Sequence, residues 1–169
     1  MRIRTRWLRA ATAAALALAL SGIAFAATAK SAGEYKLPLE GAQEVPAADP
    51  DGTGTADLKI DVDAGQVCFV FNVKDVGTIN RGHIHEAAAG ANGGIVIPFF
   101  ELRTNNPADA PASDPRNDQL ESKGTIGGCV SASPELLGRI VANPANFYVN
   151  VHNARFPGGA LRCQIDRAK

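Results

Sequence analysis

The three histidines of the chain fall in two short stretches: His83 and His85 in GHIHEAAAGANGG at 82–94, and His152 in FYVNVHN at 147–153. In an extended strand, residues two apart leave on the same face about 6.5 to 7 Å from each other, so His83 and His85 point together and Ile84 points the other way. Two imidazoles on one face can share a metal ion. In the second stretch Tyr148, Asn150 and His152 share one face, and Phe147, Val149 and Val151 share the other. The bland alternative for a strand histidine is a hydrogen bond to a backbone carbonyl or a carboxylate. It weighs most for His152 taken singly and less for the pair.

For a bound metal, three neutral imidazoles suit copper, with zinc as the alternative, better than calcium or magnesium, which prefer oxygen ligands. Three ligands leave one position open to water or substrate. Affinity should fall as pH drops below the usual histidine range near 6.5, with loss expected near pH 5. Glu86 points away from the histidine pair if its strand continues. Other chemistries have less footing: there is no GxSxG, no phosphate-binding or dinucleotide glycine motif, and no EF-hand loop among the acidic residues.

The elements that must position these residues are strands. Period-two alternation predicts them at 35–39, 55–62, 66–73, 80–86, 95–102, 123–131, 147–153 and 159–166, separated by Gly, Pro and Asn turns. Asp63-Ala64-Gly65 should join two of them as a hairpin, Pro157-Gly158-Gly159 two more, and Asn92-Gly93-Gly94 another pair. Eight such runs predict an all-β, antiparallel sandwich or barrel. One helix is expected after Ser133, a capping residue followed by Pro134, with Leu136, Leu137, Ile140 and Val141 on one stripe and Asn143-Pro144 as the stop. The stretch 104–119 has breakers and no apolar period, and reads as a surface excursion.

Residues 1–29 read as a secretory signal peptide: four arginines (Arg2, Arg4, Arg6, Arg9), an apolar alanine and leucine run, and cleavage after Ala26 or Ala29. A retained anchor is the alternative, disfavoured by the few leucines. Cleavage leaves 30–169 as a single domain and takes the balance from 17 basic against 17 acidic residues to 13 against 17. An acidic mature domain gives no footing for nucleic acid, and none for a membrane once the signal is gone. Export means a secreted or periplasmic protein in an oxidising compartment, where Cys68, Cys129 and Cys163 can form one disulfide and leave one thiol over.

The blocks LPLEGAQEVPAADPDGTGTADLKID, GHIHEAAAGANGGIVIPF, GCVSAS and FYVNVHNARFPGGALRCQI, in that order, resemble the CHRD domain, the module named after its repeats in chordin and found singly in secreted bacterial proteins. The resemblance spans about 37–165. It implies an antiparallel Greek-key or immunoglobulin-like sandwich with one short helix, of the kind compared with copper/zinc superoxide dismutase. It matches the family's HIH to His83 and His85 and its NVH to Asn150 and His152. It implies a Cys68–Cys129 disulfide and leaves Cys163 as the remaining thiol, in an RCQI segment that departs from the family where a glycine more often precedes the glutamine.

Three functions follow as expectations. The first is an exported, non-catalytic binding protein that holds a copper-like ion through His83, His85 and His152. The second is a copper-dependent oxidoreductase similar to superoxide dismutase, whose pattern needs more histidines than this chain has. The third is a purely structural module with an extracellular or periplasmic protein partner.

Overall fold

The computed structural model describes residues 32–101 and 124–167. The expected signal peptide at 1–29 and surface excursion at 104–119 lie outside the described residues. Among the described residues eight strands form: β1 Ala32–Glu40, β2 Thr53–Asp61, β3 Gln66–Lys74, β4 Ile79–Glu86, β5 Gly94–Glu101, β6 Thr125–Ser131, β7 Phe147–Asn153 and β8 Leu161–Gln164. All pair antiparallel, in the order β5-β4-β7-β8-β1-β2-β3-β6. β8 and β1 meet at a single residue pair, Glu40 and Arg162, so the sheet divides there into two halves. The chain changes halves between β3 and β4, between β5 and β6 and between β6 and β7, which makes the fold the antiparallel sandwich that alternation anticipated and the Greek key that the family resemblance implied.

Each strand of the β1-β2-β3-β6 half sends every second residue inward: Leu37 and Leu39, then Ala56, Leu58 and Ile60, then Val67, Phe69 and Phe71, all buried. The other half answers with Ile84, Ile97, Phe99, Val149, Val151 and Leu161. The halves touch through aromatic rings, with Phe69 and Phe99 centroids 4.6 Å apart and Phe71 and Phe100 5.7 Å apart. Each such ring contributes about 2 to 3 kcal/mol by leaving water, so this cluster is a main fastening between the layers.

Helix α1, Pro134–Ala142, starts where its cap predicts: the Ser133 hydroxyl accepts from the Leu136 N–H at 3.2 Å. Its Leu137 and Ile140 are buried in the same core. No helix among the described residues is long and apolar enough to cross a membrane.

Two turns form as their residues dictate. Gly65 takes φ 61° between β2 and β3, and Ala64 N–H donates to the Asp61 carboxylate at 3.0 Å. Gly159 takes φ 139° between β7 and β8, and the turn delays β8 to Leu161 instead of 159. The third turn differs from expectation. The β4–β5 connection is a longer loop whose positive φ, 80°, falls at Gly90, while Gly94 already belongs to β5. Gly93 is needed for another reason: a Cβ there would lie 2.0 Å from the Glu86 carbonyl oxygen.

Cys68 and Cys129 stand opposite each other on β3 and β6 and are joined by a disulfide. Bridging positions 61 residues apart removes unfolded-chain entropy worth about 4 kcal/mol. Cys163 lies outside that bridge, buried in the core beside Leu161.

Candidate metal centre

The half-sheet β5-β4-β7-β8 has a second buried face, and this one is polar. On β7 all seven residues are buried: Phe147, Val149 and Val151 enter the core, so Tyr148, Asn150 and His152 emerge on the outer side. β4 brings His83 opposite Asn150 and His85 opposite Tyr148, and β8 brings Arg162 opposite Asn150 on the other flank. Irregular pairing between β4 and β5 at Gly82/His83 and Ile84/His85 leaves β4 regularly paired with β7 here, and both histidines stay on one face. Gly82 is required beneath them because a Cβ would lie 2.5 Å from the Phe100 ring.

Three loops cover this face and supply its hydrogen-bond partners. From the β4–β5 loop, the Gly93 carbonyl accepts from His85 Nδ1 at 3.0 Å and Gly93 N–H donates to the Tyr148 hydroxyl at 3.3 Å. From the β7–β8 loop, the Pro157 carbonyl accepts from His152 Nδ1 at 3.1 Å and from Arg81 at 3.3 Å. From the β1–β2 connection, Glu44 accepts from Asn150 Nδ2 at 3.4 Å. Asn92 Nδ2 donates to the Val45 carbonyl, tying the first and third loops together.

His83, His85 and His152 come together: one ring nitrogen from each lies within 4.8 Å of the others, and their residues are only 5 to 7 % exposed. Hydrogen bonding fixes two tautomers. His85 and His152 each need their proton on Nδ1 to donate to a carbonyl, which leaves both Nε2 atoms with lone pairs. His152 Nε2 sits 3.1 Å from His83 Nδ1, which then donates to it. His85 Nε2 is buried and finds no hydrogen-bond partner among the described residues.

Burial holds all three imidazoles neutral. It lowers His83 to about 3, aided by His152, His85 and Arg81. It lowers His152 to about 4 against the opposing Pro157 carbonyl. His85 is lowered too, with the Gly93 carbonyl and Asn150 partly offsetting the loss of solvent. Neutral imidazoles with free lone pairs are what a metal ion requires. Burial also raises Glu44 to about 7, with Asn150 and Arg162 opposing.

The ring of Tyr148 stacks on His85 with centroids 4.7 Å apart and planes within 4° of parallel, and the Arg162 guanidinium sits 3.4 Å from the centre of the Tyr148 ring. His85 and Arg162 come from the strands on either side of β7, so Tyr148 stands between them. Arg162 is 1 % exposed, donates to the Ala88 carbonyl at 3.3 Å and to Gln164 at 3.3 Å. Glu86 points away from the histidines, as anticipated, and pairs with Arg139 of α1 at 2.8 Å.

Arg162, Glu44 and Gly93 were not foreseen as parts of this site. Arg162 did carry a signal, a charge alternating with Leu161 and Cys163 in a short strand. Glu44 and Gly93 carried none, since both arrive from loops.

No curated protein and no solved structure matches the chain. With a sandwich, a bridged β3–β6 pair and the HIH and NVH strands side by side, the family model of the CHRD domain matches residues 35–165, and the chain belongs to the CHRD-domain family.

Proposed function

We propose that this chain is an exported, non-catalytic binding domain that holds one copper-like metal ion through His83, His85 and His152. One observation carries the reading: among the described residues the lone pair of His85 Nε2 is buried without a hydrogen bond, beside two more neutral imidazoles. A buried polar atom left unpaired costs about 1 to 3 kcal/mol, and a shared metal removes that cost. Ligation by His83 Nδ1 needs only a tautomer shift to Nε2–H, with no net loss of a proton. The carbonyls of Gly93 and Pro157 would orient the other two rings, as outer partners of metal-bound histidines do. Nitrogen spacing at bonds of 2.0–2.1 Å is about 3.3 to 3.5 Å for a tetrahedral centre, so a pair at the full 4.8 Å would draw in by about 1.4 Å.

Imidazole donors suit copper and zinc, and copper is favoured by the oxidising exterior that the signal sequence and the Cys68–Cys129 bridge support. Burial of the cluster supports holding an ion over turning over a substrate. Export itself is tested by the mature N-terminus, expected at Ala27 or Lys30.

Titration of the apo protein with cupric ion should give one site whose electron paramagnetic resonance shows nitrogen couplings. His152→Ala should weaken it by roughly 100-fold or more, as loss of a ligand exceeds loss of an outer partner. No binding at micromolar copper would sink the proposal. Superoxide turnover above that of free copper would instead favour the oxidoreductase reading. If the alanine variants lose stability and the wild type binds no metal, the histidines are structural.

A further inference from the structure

We propose that Asn150 is a fourth donor to the ion, through its side-chain oxygen, and that the centre is therefore closed to outside ligands. This rests on the metal reading above and goes beyond its three histidines. Asn150 is 1 % exposed and sits on β7 between Tyr148 and His152, opposite His83. Its Oδ1 lies 3.1 Å from His152 Nε2. That nitrogen has no proton, because the proton of neutral His152 is on Nδ1, donated to Pro157. Two acceptors thus face each other at hydrogen-bond distance without a hydrogen between them. A cation binding both lone pairs turns that repulsion into attraction.

The spacing agrees with this assignment. Adjacent donors on a tetrahedral metal with bonds of 2.0–2.2 Å lie about 3.3 to 3.6 Å apart, and Asn150 Oδ1 and His83 Nδ1 are each 3.1 Å from His152 Nε2, a few tenths of an ångström inside that spacing. The amide nitrogen is held from behind by Glu44 Oε1 at 3.4 Å, and Glu44 is itself buried. Glu44 is a positioning residue: it keeps the amide oxygen turned toward the histidines. Gly159 makes room for it, since a Cβ there would lie 2.3 Å from Glu44 Oε1. Three nitrogens and one oxygen fill the four positions of a tetrahedral centre, and the burial of all four residues keeps water, superoxide or another small anion from adding as a fifth ligand.

Copper-loaded wild type, Asn150→Val and Asn150→Asp, probed with azide, test this. Wild-type resonance should not change on azide addition. Asn150→Val should bind cupric ion roughly tenfold or more weakly, and azide should shift its spectrum by filling the opened position. Asn150→Asp, which keeps an oxygen at the same place, should restore both affinity and azide insensitivity. Equal affinity in wild type and Asn150→Val, with the same azide response in both, overturns the inference while leaving the three-histidine site intact. Absence of copper binding by the wild type removes the metal reading and this one with it. Should Asn150→Val fail to fold, the Asn150 side-chain carbonyl carbon of wild type is followed by NMR during zinc addition. A shift is expected; an unmoved resonance means that the amide turns its nitrogen to His152 instead, and overturns the assignment.

Discussion

The two half-sheets share one core but differ in what lies behind them. Behind β1-β2-β3-β6 the outward residues Glu34, Lys36, Lys59 and Asn72 are exposed, and alternation there has its usual cause, apolar side to the core and polar side to water. Behind β4-β7-β8 the outward residues His83, His85, Tyr148, Asn150, His152 and Arg162 are all buried under loops, while Pro98 beside His83 on the edge strand β5 is exposed. Both halves alternate in sequence, yet only one is wet on its outer side. A dry polar face must satisfy every lone pair and charge internally, and this one leaves His85 Nε2 without a bond among the described residues. Chemistry is therefore expected behind the second half-sheet and none behind the first.

Acid should break the comparison most strongly, because it acts on the dry face. The folded-state values of His83 and His152, about 3 and about 4, lie below the unfolded value near 6.5. The unfolded chain thus takes up protons first, and stability present above pH 6.5 is lost as pH falls toward 4. Each histidine kept neutral costs roughly 1.4 kcal/mol per pH unit, so two of them cost about 5 kcal/mol by pH 4.5. Urea denaturation of the apo domain from pH 7 to 4.5 measures this, and a flat profile would contradict the buried, neutral triad. The same depression moves the expected loss of metal affinity below pH 5, since His83 and His152 remain unprotonated in the fold down to about pH 4 and burial lowers His85 in the same direction.

Next in size is the bridge on the wet side. Replacing both Cys68 and Cys129 by serine should cost about 4 kcal/mol through the loop it opens, read as a lower denaturation midpoint. Copper affinity should not change, because the bridge joins β3 to β6 in the other half-sheet. A parallel fall in affinity would mean that the halves are not independent supports.

How far the sequence disclosed this division depends on which residues set it. Strand positions and inward faces were legible from period two, as in TADLKIDV and QVCFVFNV, because alternation reports a pleat directly. The helix was legible from Ser133 and Pro134; the side-by-side placement of β4 and β7 was not, since neither strand carries a mark of which strand it pairs with. Burial of the outer face was not legible: it depends on loops folding back, and Glu44, Gly93 and Pro157 carry no periodic mark. Nor was the burial of Arg162, since arginine is mostly exposed, and here the Ala88 carbonyl, Gln164, the Tyr148 ring and the nearby Glu44 carboxyl receive it. The Asn92-Gly93-Gly94 turn was misread for a related reason. Asn-Gly is a strong hairpin signal, but in this loop Asn92 reaches Val45 and Gly93 supports His85, so the pair serves the site and Gly90 makes the turn.

The smallest effects place single changes on the two outer faces side by side. Tyr148→Phe removes the hydroxyl that accepts from Gly93 N–H and keeps the ring between His85 and Arg162. Stability should fall by about 1 kcal/mol, and because Gly93 also holds His85, copper affinity should fall with it. Lys59 faces Glu34 directly across β1 and β2 at 3.4 Å, with side chains 66 % and 76 % exposed. Water and salt screen that pair, so Lys59→Ala should change stability by less than about 0.5 kcal/mol, and copper affinity not at all. Both are neutral-looking edits to polar outward positions of adjacent-strand pairs. A difference between them in thermal denaturation isolates what the covering loops contribute; equal effects would show that the face behind β4 and β7 is as wet as the face behind β1 and β2.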